Sequence, residues 1–415
     1  MKSLIAIAAV LLVPAVAGAQ IPTAPPSTGG STQTIDDVRK DYRIHGGPFY
    51  VNPAILLKEL GVDTNVFNAA GEQKSDFTFT VAPQADIAVP IARRALLRAI
   101  VGTDVVYYAE YESERSVDPQ VTLRGELYAR RLTFFAEGDY LNTRQRPSYE
   151  IDMRSRHLEN NVAFGVNVQL TPKTSVEVAA RGGRIRFDGD AFFQGTSLKE
   201  TLDQDTRGYS VVGRHKLTFL TTLAAKYDRL EERFPLSPIR NTDSYRVMPG
   251  VEFKPKALIS GFAYVGYRNF TPLDAALPAY TGLVSQVGLS YTLLGSTTFG
   301  FTADRDVAFS FEELTPYYVD NSYGVFVRRA VGGKWDVIAN ATRHRYAYRN
   351  LAVQALDPAP ERVDVTDNLG ANLGYRLKKQ TRVGFGAAYY TRSSNVKTFR
   401  DYDGLRVGTT VTYGF

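Results

Sequence analysis

From Phe49 onward, apolar residues recur at every second position. Phe77, Phe79, Val81, Pro83, Ala85, Ile87 and Val89 alternate with Thr78, Thr80, Ala82, Gln84, Asp86 and Ala88. Val162, Phe164, Val166, Val168 and Leu170 alternate with Asn161, Ala163, Gly165, Asn167 and Gln169, and Leu369 to Leu377 repeat the pattern against Asn368, Gly370, Asn372, Gly374 and Arg376. A period of two is that of a β-strand with unlike faces. In a soluble sandwich the second face would carry long charged side chains. Here it holds Gly, Asn, Gln and Thr, which suit a wet lumen, while the apolar face suits lipid. The pattern predicts an all-β chain folded as a transmembrane antiparallel up-and-down β-barrel.

The connections sort into two alternating classes. Short turns include Pro90–Arg94, Thr171–Thr174, Gly332–Lys334 and Lys378–Gln380; long polar loops include Asn142–Arg156, Asp188–Thr206, Thr271–Thr281, Asn350–Glu361 and Ser393–Gly404. Short turns on one side and long loops on the other is the outer-membrane arrangement. Pairing the segments gives about eighteen strands, with sixteen as the alternative. The first strand, 50–63, and the hairpin 207–234 alternate least cleanly. Parity also changes at Gly182-Gly183, between Val178 and Ile185, which predicts a β-bulge there. Tyr107, Tyr108, Tyr140, Phe187, Tyr227, Tyr267, Tyr346, Tyr348, Tyr389, Tyr390 and Tyr413 fall toward strand ends and are expected to form interfacial girdles.

The two ends agree with export to a membrane. Residues 1–19 combine Lys2, an apolar run from Leu4 to Val16 and the small-residue exit Ala17-Gly18-Ala19, the pattern of a signal peptide. Residues 20–48 are expected to be a flexible periplasmic segment with at most a helical turn near Asp36-Asp37, and 49–415 the barrel. No later apolar run is long enough for a helical span. Yet the chain is 44% hydrophobic, with 25 Tyr and 23 Phe. At the C-terminus Val407, Thr409, Val411, Tyr413 and Phe415 form one face of the last strand. That alternation, closed by a terminal Phe, resembles the assembly signal of bacterial outer-membrane barrels. It implies outer-membrane lipid and the barrel-assembly machinery as partners.

The stretch Val51–Phe67, with its Asp63-Thr64-Asn65-Val66-Phe67 corner, is similar to the opening of the putative β-barrel porin 2 family, and Asn241–Tyr245 is similar to a later strand entry there. The resemblance implies an outer-membrane barrel, linked in some members to exopolysaccharide or capsule export and its partners. It brings no catalytic residue and no cofactor.

Charge and chemistry narrow the function. The net charge of +6 is a small excess over 49 basic and 43 acidic residues and does not indicate nucleic acid. There is no Cys, hence no thiolate metal site. His45, His157, His215 and His344 show no metal-ligand spacing. A barrel hydrolase would have to use His215 or His344 with a nearby carboxylate, and His215 has outward parity, so no enzyme is expected. Asp188, Asp190, Asp203 and Asp205 read as a solvated loop rather than a calcium site. Lumen parity holds Arg98, Arg124, Arg181, Arg214, Lys226, Arg328, Arg376 and Arg406 against Asp104, Glu126, Glu137, Asp139, Glu177, Asp304 and Asp306. Charges avoid the lipid face. A channel would use them to steer an anionic or polar solute or an exported polysaccharide. A plugged structural barrel would instead pair them with one another.

Overall fold

The computed structural model describes residues 35–415 except 149, 256, 352–360, 397–399 and 415. The expected signal peptide, the tail to residue 34 and Phe415 therefore lie outside the described residues. The wall comprises β1 (Phe49–Asp63), β2 (Asp76–Ile91), β3 (Ala95–Tyr108), β4 (Ser116–Ala129), β5 (Leu132–Thr143) and β6 (His157–Gln169). It continues with β7 (Thr174–Phe187), β8 (Gln204–Lys216), β9 (Thr221–Arg233), β10 (Thr242–Phe253), β11 (Ile259–Pro272) and β12 (Tyr280–Leu293). The last six are β13 (Thr297–Phe309), β14 (Tyr317–Val331), β15 (Trp335–Arg349), β16 (Val363–Lys378), β17 (Thr381–Ser394) and β18 (Tyr402–Tyr413). Each strand pairs antiparallel with the next, and β18 pairs back onto β1, from Ile55↔Tyr413 to Asp63↔Arg406. The result is a closed barrel of 18 strands, so no edge is left to aggregate.

The alternation maps onto the wall as expected. Leu97, Val101, Val105, Val117, Leu123, Phe164, Leu283, Leu369 and Phe385 are exposed on the outer face. Val407, Thr409, Val411 and Tyr413 share the parity of outward Leu405. The irregular hairpin 207–234 forms a continuous ladder, β8 on β9, with Leu217 and Phe219 exposed at its turn.

Three expectations are corrected. The bulge lies in β1, not at Gly182-Gly183. Glu59 takes φ +56, and the register slips there against both β2 and β18. The slip carries the outward face from Ile55 to Val62, which explains the broken alternation of that strand. At Gly182-Gly183 the ladders to β6 and β8 run unbroken. Parity changes there because Ile185 and Phe187 turn inward to an apolar cluster at the mouth, not because the backbone changes phase. The girdle loses members as well. Tyr140, Tyr267, Tyr389 and Tyr413 are exposed on the wall, and Tyr107 and Tyr227 share their outward parity. Tyr108, Phe187, Tyr346, Tyr348 and Tyr390 point inward and are buried.

The third correction concerns the segment expected to be flexible: it is ordered from Ile35, and the helical turn expected near Asp36-Asp37 extends to Asp41. Helix α1 (Ile35–Asp41) buries Ile35 and Val38, spaced by three, and Tyr42 follows on the same side. They pack on Ala88, Leu96, Tyr50 and Tyr128, inward-facing residues at the short-turn end of the barrel. The Tyr42 hydroxyl donates to Asp86 at 2.8 Å. A three-residue strand, Ile44–Gly46, then pairs with the foot of β1.

Candidate functional site

The lumen is built from the inward position of every strand pair. Arg98 meets Asp86 at 2.5 Å and Lys58 meets Asp104 at 2.7 Å. Arg124 bridges Glu126 (2.7 Å) and Glu137 (2.6 Å), and Arg214 bridges Glu177 (3.1 Å) and Glu252 (3.2 Å). Arg406 holds Asp63 at 2.7 Å, and Arg376 stands 4.0 Å from Asp336. Asp306 is gripped by Arg268 (2.6 Å) and Arg246 (3.0 Å). Other candidates stay without an ion pair among the described residues. Asp139 takes only the Thr122 hydroxyl, at 2.7 Å. The Lys226 ammonium lies 3.6 Å from the centre of the Tyr264 ring. Arg181, Arg328 and Asp304 also have no ion-pair partner there, and the Arg181 Nε is buried without a hydrogen bond. Sequence reasoning passed over Arg246, Arg268, Arg382 and Arg392. Their parity, opposite the outward Val247, Tyr267, Phe385 and Tyr389, was the signal available.

Within this ladder sits a cavity of about 580 Å³. Arg181, Glu137, Asp139, Asp304, Asn161, Gln286 and Phe135 are among its lining. Room exists beside Arg181 because its cross-strand neighbours are Ala163 and Gly208.

The cavity does not open freely to the loop side. The top of β13 parts from β12, while β14 stays paired with β15 as far as Tyr317↔Arg349, and the edge so freed curls into the mouth. Register between β12 and β13 runs from Leu293↔Thr297 only to Ser285↔Arg305. The next outward-parity partners, Leu283 and Val307, are not paired. Their freed backbone groups are satisfied locally. The Leu283 carbonyl accepts from the Tyr280 hydroxyl (2.8 Å) and Arg305 Nε (3.0 Å), and the Val307 N–H donates to Asp306 (2.8 Å). Both faces of the displaced hairpin are covered. Val307, Phe309, Tyr317 and Val319 join a buried cluster with Phe234, Phe270 and Leu277. Helix α2 (Leu198–Leu202), N-capped by Ser197, adds Leu198 and Leu202 to it. The opposite face, through Tyr318, packs on Tyr346 and Tyr348 at ring distances of 5.3 and 5.2 Å. This apolar plug takes in Phe187, Tyr346 and Tyr348, whereas Tyr108 packs with Val66 and Val106 and the Tyr390 hydroxyl donates to Asp63.

Comparison with known proteins decides the family. The model of the putative β-barrel porin 2 family matches residues 43–415. This chain belongs to that family. Among solved structures, it is similar to a BenF-like porin from Pseudomonas fluorescens Pf-5, at 9% identity over 88% of this chain and 98% of that one, with a TM-score of 0.50. It is also similar to OpdQ of Pseudomonas aeruginosa (10% identity, 88% and 98% covered, TM-score 0.46) and to the siderophore receptor PirA of Acinetobacter baumannii (6% identity, 88% and 80% covered, TM-score 0.46). No curated protein matches. Family and fold make it a porin-like outer-membrane barrel. By the rule for such barrels, the short turns face the periplasm and the long loops the exterior.

Polar residues lock the porin's plug in place. Glu150, from the loop after β5, accepts from Ser310 Oγ (2.7 Å) and the Phe311 N–H (3.2 Å) at the hairpin tip. Arg240 donates to the carbonyls of Ser310 (3.3 Å) and Glu312 (2.8 Å). Glu312 in turn takes Arg362 at 2.8 Å and Arg400. Arg392, fully buried, binds Asp152 at 2.8 Å and Asp364 at 2.6 Å. Burial pushes the Glu150 carboxyl above its ordinary value of 4.5, against Arg362 and Ser310, which pull it down, and Glu312 adds to the rise. Burial likewise raises Asp152 despite Arg392 beside it. For Glu312 burial also acts upward, but Arg362 and Arg400 outweigh it and leave its pKa lowered.

The signs fix a pH response. A carboxyl whose pKa is raised on docking binds a proton more readily docked than free, so docking strengthens as pH falls through that raised value toward the free one. The lowered Glu312 gives stability that is lost only as pH falls below its ordinary value. The plug is therefore expected to hold more firmly at mildly acidic pH than at neutral pH. Fewer openings per minute in bilayer recordings at the lower pH would agree, and more would contradict it.

The histidines fall as follows. His215 faces outward, with its Nδ1 3.0 Å from Thr174 Oγ1 at a turn. His344 faces inward, and its Nδ1 stands 3.3 Å from both Asp320 oxygens. Among the described residues no group of His, Cys, Asp and Glu has metal-binding geometry.

Proposed function

We propose that this porin is a gated channel for small polar solutes, with the β13–β14 hairpin as its gate, rather than an enzyme or a permanently sealed barrel. The observation that carries the reading is the hairpin itself. Its β13 edge has parted from β12, whose register would accept it, while β14 stays on β15, and the freed top closes a polar cavity with an apolar cluster. A purely structural barrel has no need of a seam left open between β12 and β13. Among the described residues Asp139 and Asp304 line the cavity with no ion pair to a cation, against Arg181 with none to an anion. That balance supports neutral or cationic solutes over the anionic ones that charge parity suggested.

Export of a polysaccharide chain, which the family resemblance implies, would use the same lumen after the same opening. The test is planar-bilayer recording with salt gradients and added oligosaccharide. Rare openings with a reversal potential on the cation-selective side, blocked by the sugar, are expected. Steady anion selectivity would overturn the solute reading, and the absence of any opening would overturn the channel.

A further inference from the structure

The outer wall of β7 to β9 carries a feature that a channel does not use. Arg184, Arg186, Arg207, Arg229 and Arg233 share the parity of the exposed Val178, Tyr209 and Leu223 and point away from the lumen. They lie on the loop side of Tyr227, which stacks beside Tyr209 at 6.0 Å between ring centres. Tyrosines on the outer wall mark the membrane interface. The row beyond them is the headgroup layer of the outer leaflet. Arginine on a barrel's lipid face costs about 2–4 kcal/mol at midplane and about 0–1 near the interface, so only that layer suits such a cluster.

The cluster is incompletely neutralised. Asp205 is shared by Arg184 (3.0 Å) and Arg186 (2.7 Å), and Asp243 by Arg229 (3.1 Å) and Arg233 (2.7 Å). Glu231 reaches only Arg233, at 3.8 Å. Arg207, exposed between Gly182 and Glu231 on the neighbouring strands, has no ion pair or hydrogen bond among the described residues. On β3 and β4 the equivalent outer positions are apolar or aromatic, Val105, Tyr107 and Val117, and on β15 the outward Arg343 is paired with Asp367.

We propose that this patch binds the phosphate groups of a phosphorylated glycolipid of the outer leaflet. Guanidinium forks match phosphate oxygens in pairs. Arg207 and the well-exposed Arg184 would be direct ligands, with Arg229 completing the site. Asp205 and Asp243 hold the neighbouring forks in place. The proposal rests on the outer-membrane placement and is independent of whether the lumen conducts.

The test is native mass spectrometry of the full refolded barrel in detergent. The probes are lipid A with both phosphates, the same lipid dephosphorylated, and inorganic phosphate as competitor. Wild type is expected to retain the bisphosphorylated lipid, to retain the dephosphorylated form at least tenfold less, and to lose the former to excess phosphate. The R184Q/R207Q/R229Q variant should bind at least tenfold more weakly while remaining heat-modifiable on a gel. Arg343→Gln, on the outer face of β15, should bind as wild type. If the triple variant does not refold, Arg207→Gln alone, which breaks no ion pair, should still weaken binding severalfold. Equal binding of the dephosphorylated lipid, full binding by the Arg207→Gln variant, or an equal loss in Arg343→Gln would overturn the proposal.

Discussion

Replacing Phe309 and Phe311 together with Asp will open the mouth of the barrel. Phe309 meets Phe234 edge to face at 4.6 Å and Phe270 at a tilt at 5.8 Å, and Phe311 meets Phe193 at 4.9 Å. All five are buried in one cluster. Truncating a buried Phe costs about 3–5 kcal/mol. A carboxylate in its place adds the penalty of an unpaired buried charge. That loss falls chiefly on the docked tip, because the ladder of β13 with β12 ends at Ser285↔Arg305, short of both residues, while the pairing of Phe309 with Tyr317 on β14 is made by backbone groups that the substitution leaves in place. The variant should therefore stay heat-modifiable while its time-averaged conductance rises manyfold over wild type. A folded variant that conducts no more than wild type would show that something other than the hairpin closes the lumen.

The second large effect is expected at Arg392. Its side chain is fully buried between Asp152 and Asp364, and it also donates to the Glu150 carbonyl at 3.0 Å. It joins the wall strand β17 to the loop that grips the hairpin tip. Arg392→Met nearly keeps the volume and takes the ion-pair partner from the buried Asp152, while Asp364 retains Arg362. Removing one partner of a buried ion pair costs about 3–5 kcal/mol. Since about 1.4 kcal/mol is a factor of ten, the open fraction should rise roughly a hundredfold or more. Arg343→Met removes the exposed pair with Asp367 and should change nothing measurable. Equal open fractions in the two variants would mean that the buried network does not hold the plug.

The wall was legible in the sequence because lipid imposes one rule on every strand. The alternation at 77–89, 162–170 and 369–377 marks a face, and the alternating lengths of turns and loops mark the hairpins. The mouth was not legible for the same reason. Phe187, Tyr346, Tyr348 and Tyr390 sit near strand ends, where an aromatic serves an interfacial girdle equally well. Only packing against other loops, far away in sequence, turns them inward. The parity change at Gly182-Gly183 was a true signal given the wrong cause, since a bulge and a plug both exchange the apolar face. At Glu59 the broken alternation of β1 was visible, but the positive φ behind it belongs to the closing seam with β18. The ion pairs followed from parity, whereas the separation of the hairpin from β12 left no trace in the alternation. Leu283, Val287, Val307 and Phe309 keep the pattern of a paired wall.

That retained pattern supplies the most direct test of the gate. Extending the observed register places Gly282 opposite Ala308, both at inward parity, if β13 pairs with β12 along its full length. The measurement is single-channel recording of the Gly282→Cys/Ala308→Cys barrel under oxidising and then reducing conditions. The account predicts that oxidation traps a long-lived conducting state and that reduction restores the closures. A cross-link that forms and leaves the barrel closed, or one that never forms while the barrel conducts, would contradict it.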